Sequence, residues 1–257
     1  MLIIIKIMGC ESSREHYTKE ETLITNAEAS LGFSNCSADI VDLWIRKYSS
    51  DGTINTEQMK DIFQGCEISM KRPLESSKLL NCFRRKDNTY TLKPFLIFGI
   101  LLSTDLHNKK SSLLFEVFDE HYENSLKEAA IHQLIDYMLN ISINLLPLSI
   151  LDQDLPDAKI NKVLLYSKYL KSFQEIAKES LIRMLVRDEV KDDGTLTKVH
   201  FIESFDVGEL HHLLTPHGIR LYVKKIAETT SKSVVLLNKR YIRQLSDSFF
   251  ENGTEEN

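Results

Sequence analysis

The sequence predicts an all-α protein, and three observations carry that expectation. Only 9 Gly and 5 Pro punctuate 257 residues, too few for a turn-rich β fold. Apolar residues recur at helical spacing, as in Val41, Trp44, Ile45 and Tyr48, or Leu114, Phe115 and Phe118. Between such stripes, short acid-led turns return at a fixed period, as a helix–loop–helix array requires. A 42% hydrophobic content supplies a buried core for one large or two small domains.

Residues 1–36 read as an N-terminal segment. Leu2–Ile5 is shorter than the roughly 7–15 apolar residues of a signal peptide. Read from Met8, the stretch Met8-Gly9-Cys10-Glu11-Ser12-Ser13 fits the pattern for N-myristoylation on Gly9, with Cys10 beside it for palmitoylation. Both sites require that translation start at Met8. No apolar run reaches the roughly 18 residues of a membrane span, so the expectation is a soluble, cytoplasmic chain. Membrane association would then come from acylation or from a basic C-terminal stretch.

Four cysteines without metal-ligand spacing suit a reducing compartment. A net charge of -5 argues against nucleic acid as a partner. No P-loop, GxSxG, HExxH or kinase signature occurs, so no enzyme is expected.

Four segments align without gaps: DGTINTEQMKDIF from Asp51, DNTYTLKPFLIFG from Asp87, ENSLKEAAIHQLI from Glu123 and DGTLTKVHFIESF from Asp193. Their second residues are Gly52, Asn88, Asn124 and Gly194, and the first three are spaced evenly by 36 residues. Gly and Asn tolerate positive φ and so allow a sharp bend after the acid. A large apolar residue follows (Ile54, Tyr90, Leu126, Leu196), and five residues later another begins a helical stripe (Met59, Phe95, Ile131, Phe201).

A helix, a bent loop with a central apolar residue, and a second helix: over roughly Ser37 to Phe205 this resembles the EF-hand. With an acylatable N-terminus, the order of segments is similar to the neuronal calcium sensor and calcineurin B-like branch. The resemblance implies two EF-hand pairs, each joined by a short antiparallel bridge between loops, so that Leu126 lies beside Leu196. Hands one to three fall in 37–140 and hand four in 162–206, with a long helix from about Lys162. Between them, 141–161 holds two of the five prolines and reads as a loop or linker. Residues 207–257 form C-terminal helices and a tail.

An EF-hand loop needs oxygens at positions 1, 3 and 5 and a bidentate Glu at 12. With Gly or Asn set at position 6, the first loop offers Lys47, Ser49, Asp51 and Gln58, and the second Phe83, Arg85, Asp87 and Pro94. The fourth offers Glu189, Lys191, Asp193 and His200. Its acid cluster (Asp188, Glu189, Asp192, Asp193) could attract a cation loosely, with Lys191 opposing, while the third loop keeps Asp119, His121 and Glu123 and has Ala130 in place of the bidentate acid. Calcium is therefore expected to bind weakly or not at all, and no other cofactor is expected.

His211, His212 and His217 read as a surface turn. Downstream, Arg220, Lys224, Lys225, Lys232, Lys239, Arg240 and Arg243 face only Glu228, which reads as a solvated basic face or a surface for anionic lipid or an acidic partner. For function, the resemblance implies a non-enzymatic, largely calcium-independent adaptor. It would hold a target helix or peptide in an apolar groove lined by Trp44, Phe63, Phe95, Phe98, Phe115 and Phe118, although each of these also fits an ordinary core position. The alternatives are a structural component of a cytoskeletal or ciliary assembly, and a weak calcium-responsive sensor.

Overall fold

Helix formation starts where the sequence supplies caps. The computed structural model describes residues 18–69, 76–186, 195–206 and 210–231. Thr18 opens α1 (Lys19–Ala29) by accepting the Glu21 N–H, and Ser37 opens α2 (Ala38–Tyr48) by accepting that of Ile40. Asn55 and Gln58 cap α3 (Thr56–Gly65) reciprocally. Helices dominate the fold, as the scarcity of Gly and Pro implies.

Two short strand pairs tie the helices together. β1 (Thr53–Ile54) lies between α2 and α3, and β2 (Tyr90–Thr91) between α4 (Lys78–Asn81) and α5 (Leu92–Leu102). They pair antiparallel with Ile54 opposite Tyr90. β3 (Ser125–Lys127) lies between α6 (His107–Glu116) and α7 (Glu128–Asn140), and β4 (Thr195–Thr197) precedes α10 (Lys198–Asp206). Here Leu126 sits opposite Leu196, the side-by-side placement expected across the insertion. The bends before the strands use the Gly and Asn residues that the repeat picks out: Gly52, Asn88 and Asn124 have φ of 71°, 64° and 54°. Gly194 lies outside the described residues.

The segment read as a linker is a helical part of the core. α7 continues without a break through a π turn (Ile141–Leu145) into a 3-10 stretch (Leu146–Asp152), burying Ile141, Ile143, Leu146 and Ile150. The prolines misled because both stand at helix starts, where a missing N–H costs nothing: Pro147 lies in the first turn of the 3-10 stretch and Pro156 precedes the helix that starts at Asp157. Asp152 then accepts the Lys78 N–H and the Ser77 hydroxyl, capping α4. Glu128–Asp152 is also long and apolar enough to cross a membrane by length and composition, with mean hydropathy 1.5, which corrects the expectation that no such run exists. Packing explains that apolarity, because 61% of the apolar window is buried inside the protein.

The single helix expected from about Lys162 is two. α8 spans Asp157–Lys171 and α9 spans Gln174–Val186, with Phe173 turning onto the core between them. A last helix, α11, runs over 216–231 and packs Ile219 and Val223 into the same core.

Candidate functional site

In the third loop, Asp119 is placed at the end of α6 and is only 6% exposed. Its Oδ1 accepts the backbone N–H of Glu123 at 2.8 Å, and its Oδ2 accepts that of Asn124 at 2.9 Å. The carboxylate thus closes the loop on itself with the oxygens a cation would need. His121 and Glu123 are exposed, and Glu120 points to Lys93 at 2.6 Å. Asp119, His121 and Glu123 are therefore not gathered into a ligand set. Among the described residues, no group of three His, Cys, Asp or Glu could hold a metal ion.

The other described loops are closed by similar local bonds. Ser50 and Thr53 exchange backbone hydrogen bonds in the first. In the second, Asp87 accepts from both the N–H and the hydroxyl of Thr89, and these bonds hold its carboxyl below the usual range. The fourth loop's Glu189, Lys191 and Asp193 lie outside the described residues.

Of the six aromatics assigned to a groove, four are core. Phe63, Phe95, Phe98 and Phe115 are buried. Phe33, from the stretch before α2, covers the first pair: its ring meets Phe63 at 5.9 Å and Phe98 at 5.2 Å, both edge-on. Phe115 packs on Phe201 at 5.5 Å. The periodic pattern marks these residues as apolar but does not show that the chain's own Phe33 fills the space beside them.

Only Trp44 and Phe118 reach the surface, and each is half-buried. Trp44 stacks on Tyr48 at 5.6 Å and lies over Gly65, where a Cβ would come within 2.3 Å of the ring. The Lys47 ammonium sits 4.3 Å from its centroid. Phe118 lies beside Tyr137 and under Lys93.

Between α2, α5 and the third loop lies a cleft of about 610 Å³. Most of its charges are paired, while Asp119, also at its lining, accepts only backbone N–H groups. Arg46 Nε donates to both oxygens of Asp42 at 2.8 and 2.9 Å, Lys198 meets Glu116 at 2.6 Å, and Lys93 meets Glu120. Burial pushes the Asp42 carboxyl up, with Arg46 opposing.

Among the described residues, two buried cations escape sequence reasoning. Lys110, 3% exposed, donates to the carbonyls of Leu101 and Ser103 at 2.9 and 3.0 Å, capping the end of α5. Burial depresses its ammonium pKa to about 8, with attraction to Asp105 opposing. Unfolded chains hold that proton to about 10.4, so between these values the unfolded state binds more protons and stability rises with pH. We expect the parent to gain up to about 1.4 kcal/mol per pH unit across that window. Denaturant melts from pH 8 upward should show this slope missing in Lys110→Met, and an equal slope in both proteins would refute the assignment.

The second is Arg220, which the sequence placed on a solvated basic face and which is 0% exposed. Its guanidinium reaches Glu21 and Glu28 of α1, with donor distances of 2.7 and 2.6 Å, and the Ser142 carbonyl at 3.1 Å. His217, read as part of a surface turn, lies 2.7 Å from Glu21. The signal was present in α1, since Glu21 and Glu28 are seven residues apart and share a helix face. His211 and His212 stay near the surface, with the His211 ring 5.0 Å from that of His107. Burial also pushes the Cys66 thiol up to about 12, leaving it protonated and inert. The acylation sites Gly9 and Cys10, and the basic residues beyond 231, lie outside the described residues.

No family model, no curated protein and no solved structure matches the chain.

Proposed function

We propose that the chain is a non-enzymatic protein-binding adaptor, built from two pairs of degenerate EF-hands and working without calcium. The observation that carries this is the third loop, where Ala130 stands in place of the bidentate acid, His121 and Glu123 are exposed, and Asp119 accepts the loop's own N–H groups. The paired loops, with Ile54 opposite Tyr90 and Leu126 opposite Leu196, support the same reading. A sensor of this type exposes an apolar groove when calcium opens its helix pairs. Without that trigger, partner contact falls to surfaces that are already exposed, and of the six groove aromatics only Trp44 and Phe118 remain candidates. The filled interior favours a second reading, a structural component held permanently in a larger assembly.

Calorimetric titration with calcium should give no saturable heat at micromolar concentration. Affinity purification from source cells should recover the same partner in calcium and in chelator. A micromolar site, or a partner lost on chelation, would overturn the proposal in favour of a calcium sensor. A complex of fixed stoichiometry that survives high salt points to the structural component.

A further inference from the structure

We infer that the outer face of α8 is a docking surface for anionic lipid. The inner face of this helix is committed to the fold: Val163 and Leu170 are fully buried, and the Ser167 hydroxyl donates to the Ile143 carbonyl at 2.5 Å. The opposite face carries Leu165 and Tyr169, 66% and 42% exposed, one turn apart on a single ridge. Helical spacing places Lys162 and Lys168 on either side of that ridge, with Lys159 and Lys171 further round, and all four are exposed. Asp157, in the first turn, is the only acid in the helix.

These lysines, like Lys19, Lys47, Lys78, Lys86 and Lys127, meet no carboxylate among the described residues, and they are set apart by sharing one helix. Lys60, Lys93, Lys109, Lys178 and Lys198 each lie within 3 Å of a carboxylate oxygen. None of Lys159, Lys162, Lys168 and Lys171 makes an ion pair with the described residues. In a chain of net charge -5, one helix thus presents four cations that meet no carboxylate among the described residues, two of them, Lys162 and Lys168, flanking the apolar ridge.

The geometry favours a membrane surface over a protein. A specific protein interface buries about 800 Å² per partner around a packed centre, and lysine is depleted there. A single convex ridge two side chains long does not supply such a centre. At a bilayer interface the same arrangement is useful, because Leu165 and Tyr169 can enter the headgroup boundary while the flexible lysine stems carry their charges to the phosphates. Each lysine near an anionic surface contributes about 1 kcal/mol, a factor of about five in affinity. Binding by this face alone is weak and reversible, suited to reinforcing another attachment. It holds whether or not the loops are degenerate EF-hands.

The test is co-sedimentation of the unacylated full chain with phosphatidylcholine vesicles, with and without phosphatidylserine, at physiological salt. The parent should bind only the phosphatidylserine vesicles and should release as salt is raised. The charge-reversed variant Lys162→Glu/Lys168→Glu, whose altered side chains are exposed and leave the core intact, should lose at least about 30-fold in partition. Leu165→Ser/Tyr169→Ser should weaken binding while leaving its salt dependence intact. A parent that ignores both vesicles overturns the inference, and so does a charge-reversed variant that binds like the parent. If vesicles fail but an acidic amphipathic peptide is retained by the parent, the ridge belongs to a protein partner and the lipid assignment is wrong.

Discussion

Arg220→Ala should lower the stability of the protein by about 3–5 kcal/mol, the usual consequence of removing one member of a buried ion cluster. Global stability is of order 5–15 kcal/mol, so the melting temperature should fall by about 10 °C for a chain of this size. The loss is large because of what remains: Glu21 and Glu28 would face each other in the interior, without the guanidinium that both now share. The clasp joins helices from opposite ends of the described chain, α1 and α11, so its failure should also loosen the packing of Ile219 and Val223.

The pH dependence identifies the cause. In the parent, burial works to raise the Glu21 carboxyl, but the hydrogen bond to His217 and the attraction of Arg220 outweigh it and hold it below the ordinary carboxylate range. A carboxyl depressed in the folded state contributes stability above its unfolded pKa, and that stability is lost as pH falls through the folded value. In Arg220→Ala the Glu21 carboxyl loses the attraction and hydrogen bond of the guanidinium while burial still raises it and His217 still lowers it, so its folded-state value rises relative to the parent. The variant should therefore lose less stability than the parent as pH falls from about 5 to 3. Thermal melts followed by circular dichroism at these two values read the difference directly. A variant that loses as much stability as the parent on acidification would sink the assignment. The triple variant Glu21→Gln/Glu28→Gln/Arg220→Met, which removes the charges together, should recover much of the loss.

Phe98→Ala should cost about 3–5 kcal/mol as well, by a different route. The Phe98 ring lies 5.2 Å from Phe33, 5.0 Å from Phe83 and 5.6 Å from Phe95, and truncation leaves a cavity that these large rings can only partly fill. A groove residue awaiting a partner behaves differently: its truncation weakens binding and leaves the melting temperature nearly unchanged. The half-exposed Trp44 provides the contrast, because Trp44→Ala should lower stability by less than Phe98→Ala does. Denaturant melts of both variants compare the two directly. If Phe98→Ala melts with the parent, the aromatic cluster is an open surface and its description as core is wrong.

The sequence alone determined the helical class and the positions of the bends. The bends are local, since Gly52, Asn88 and Asn124 permit positive φ, whereas the expectation that Leu126 faces Leu196 across a long insertion came from the resemblance, and the strand register agrees with it. The insertion itself was misread because proline marks a helix start as readily as a loop, and only the burial of Ile141 to Ile150 distinguishes the two. Which apolar residues would be open to a partner was likewise not legible, since periodicity gives the face of a helix and not what covers it. Phe33 decided that for Phe63 and Phe98. The third loop and the Arg220 cluster show the same limit for charge. Asp119 has the sequence of a ligand, and only its contacts with the Glu123 and Asn124 amides show the carboxylate already engaged. Arg220 has the sequence of a surface cation, and only the meeting of α1 with α11 makes it a buried one. Solvation is set by the folded chain: Arg220 turns inward where distant Glu21 and Glu28 offset its loss of water, and Lys110 where the carbonyls of Leu101 and Ser103 do so.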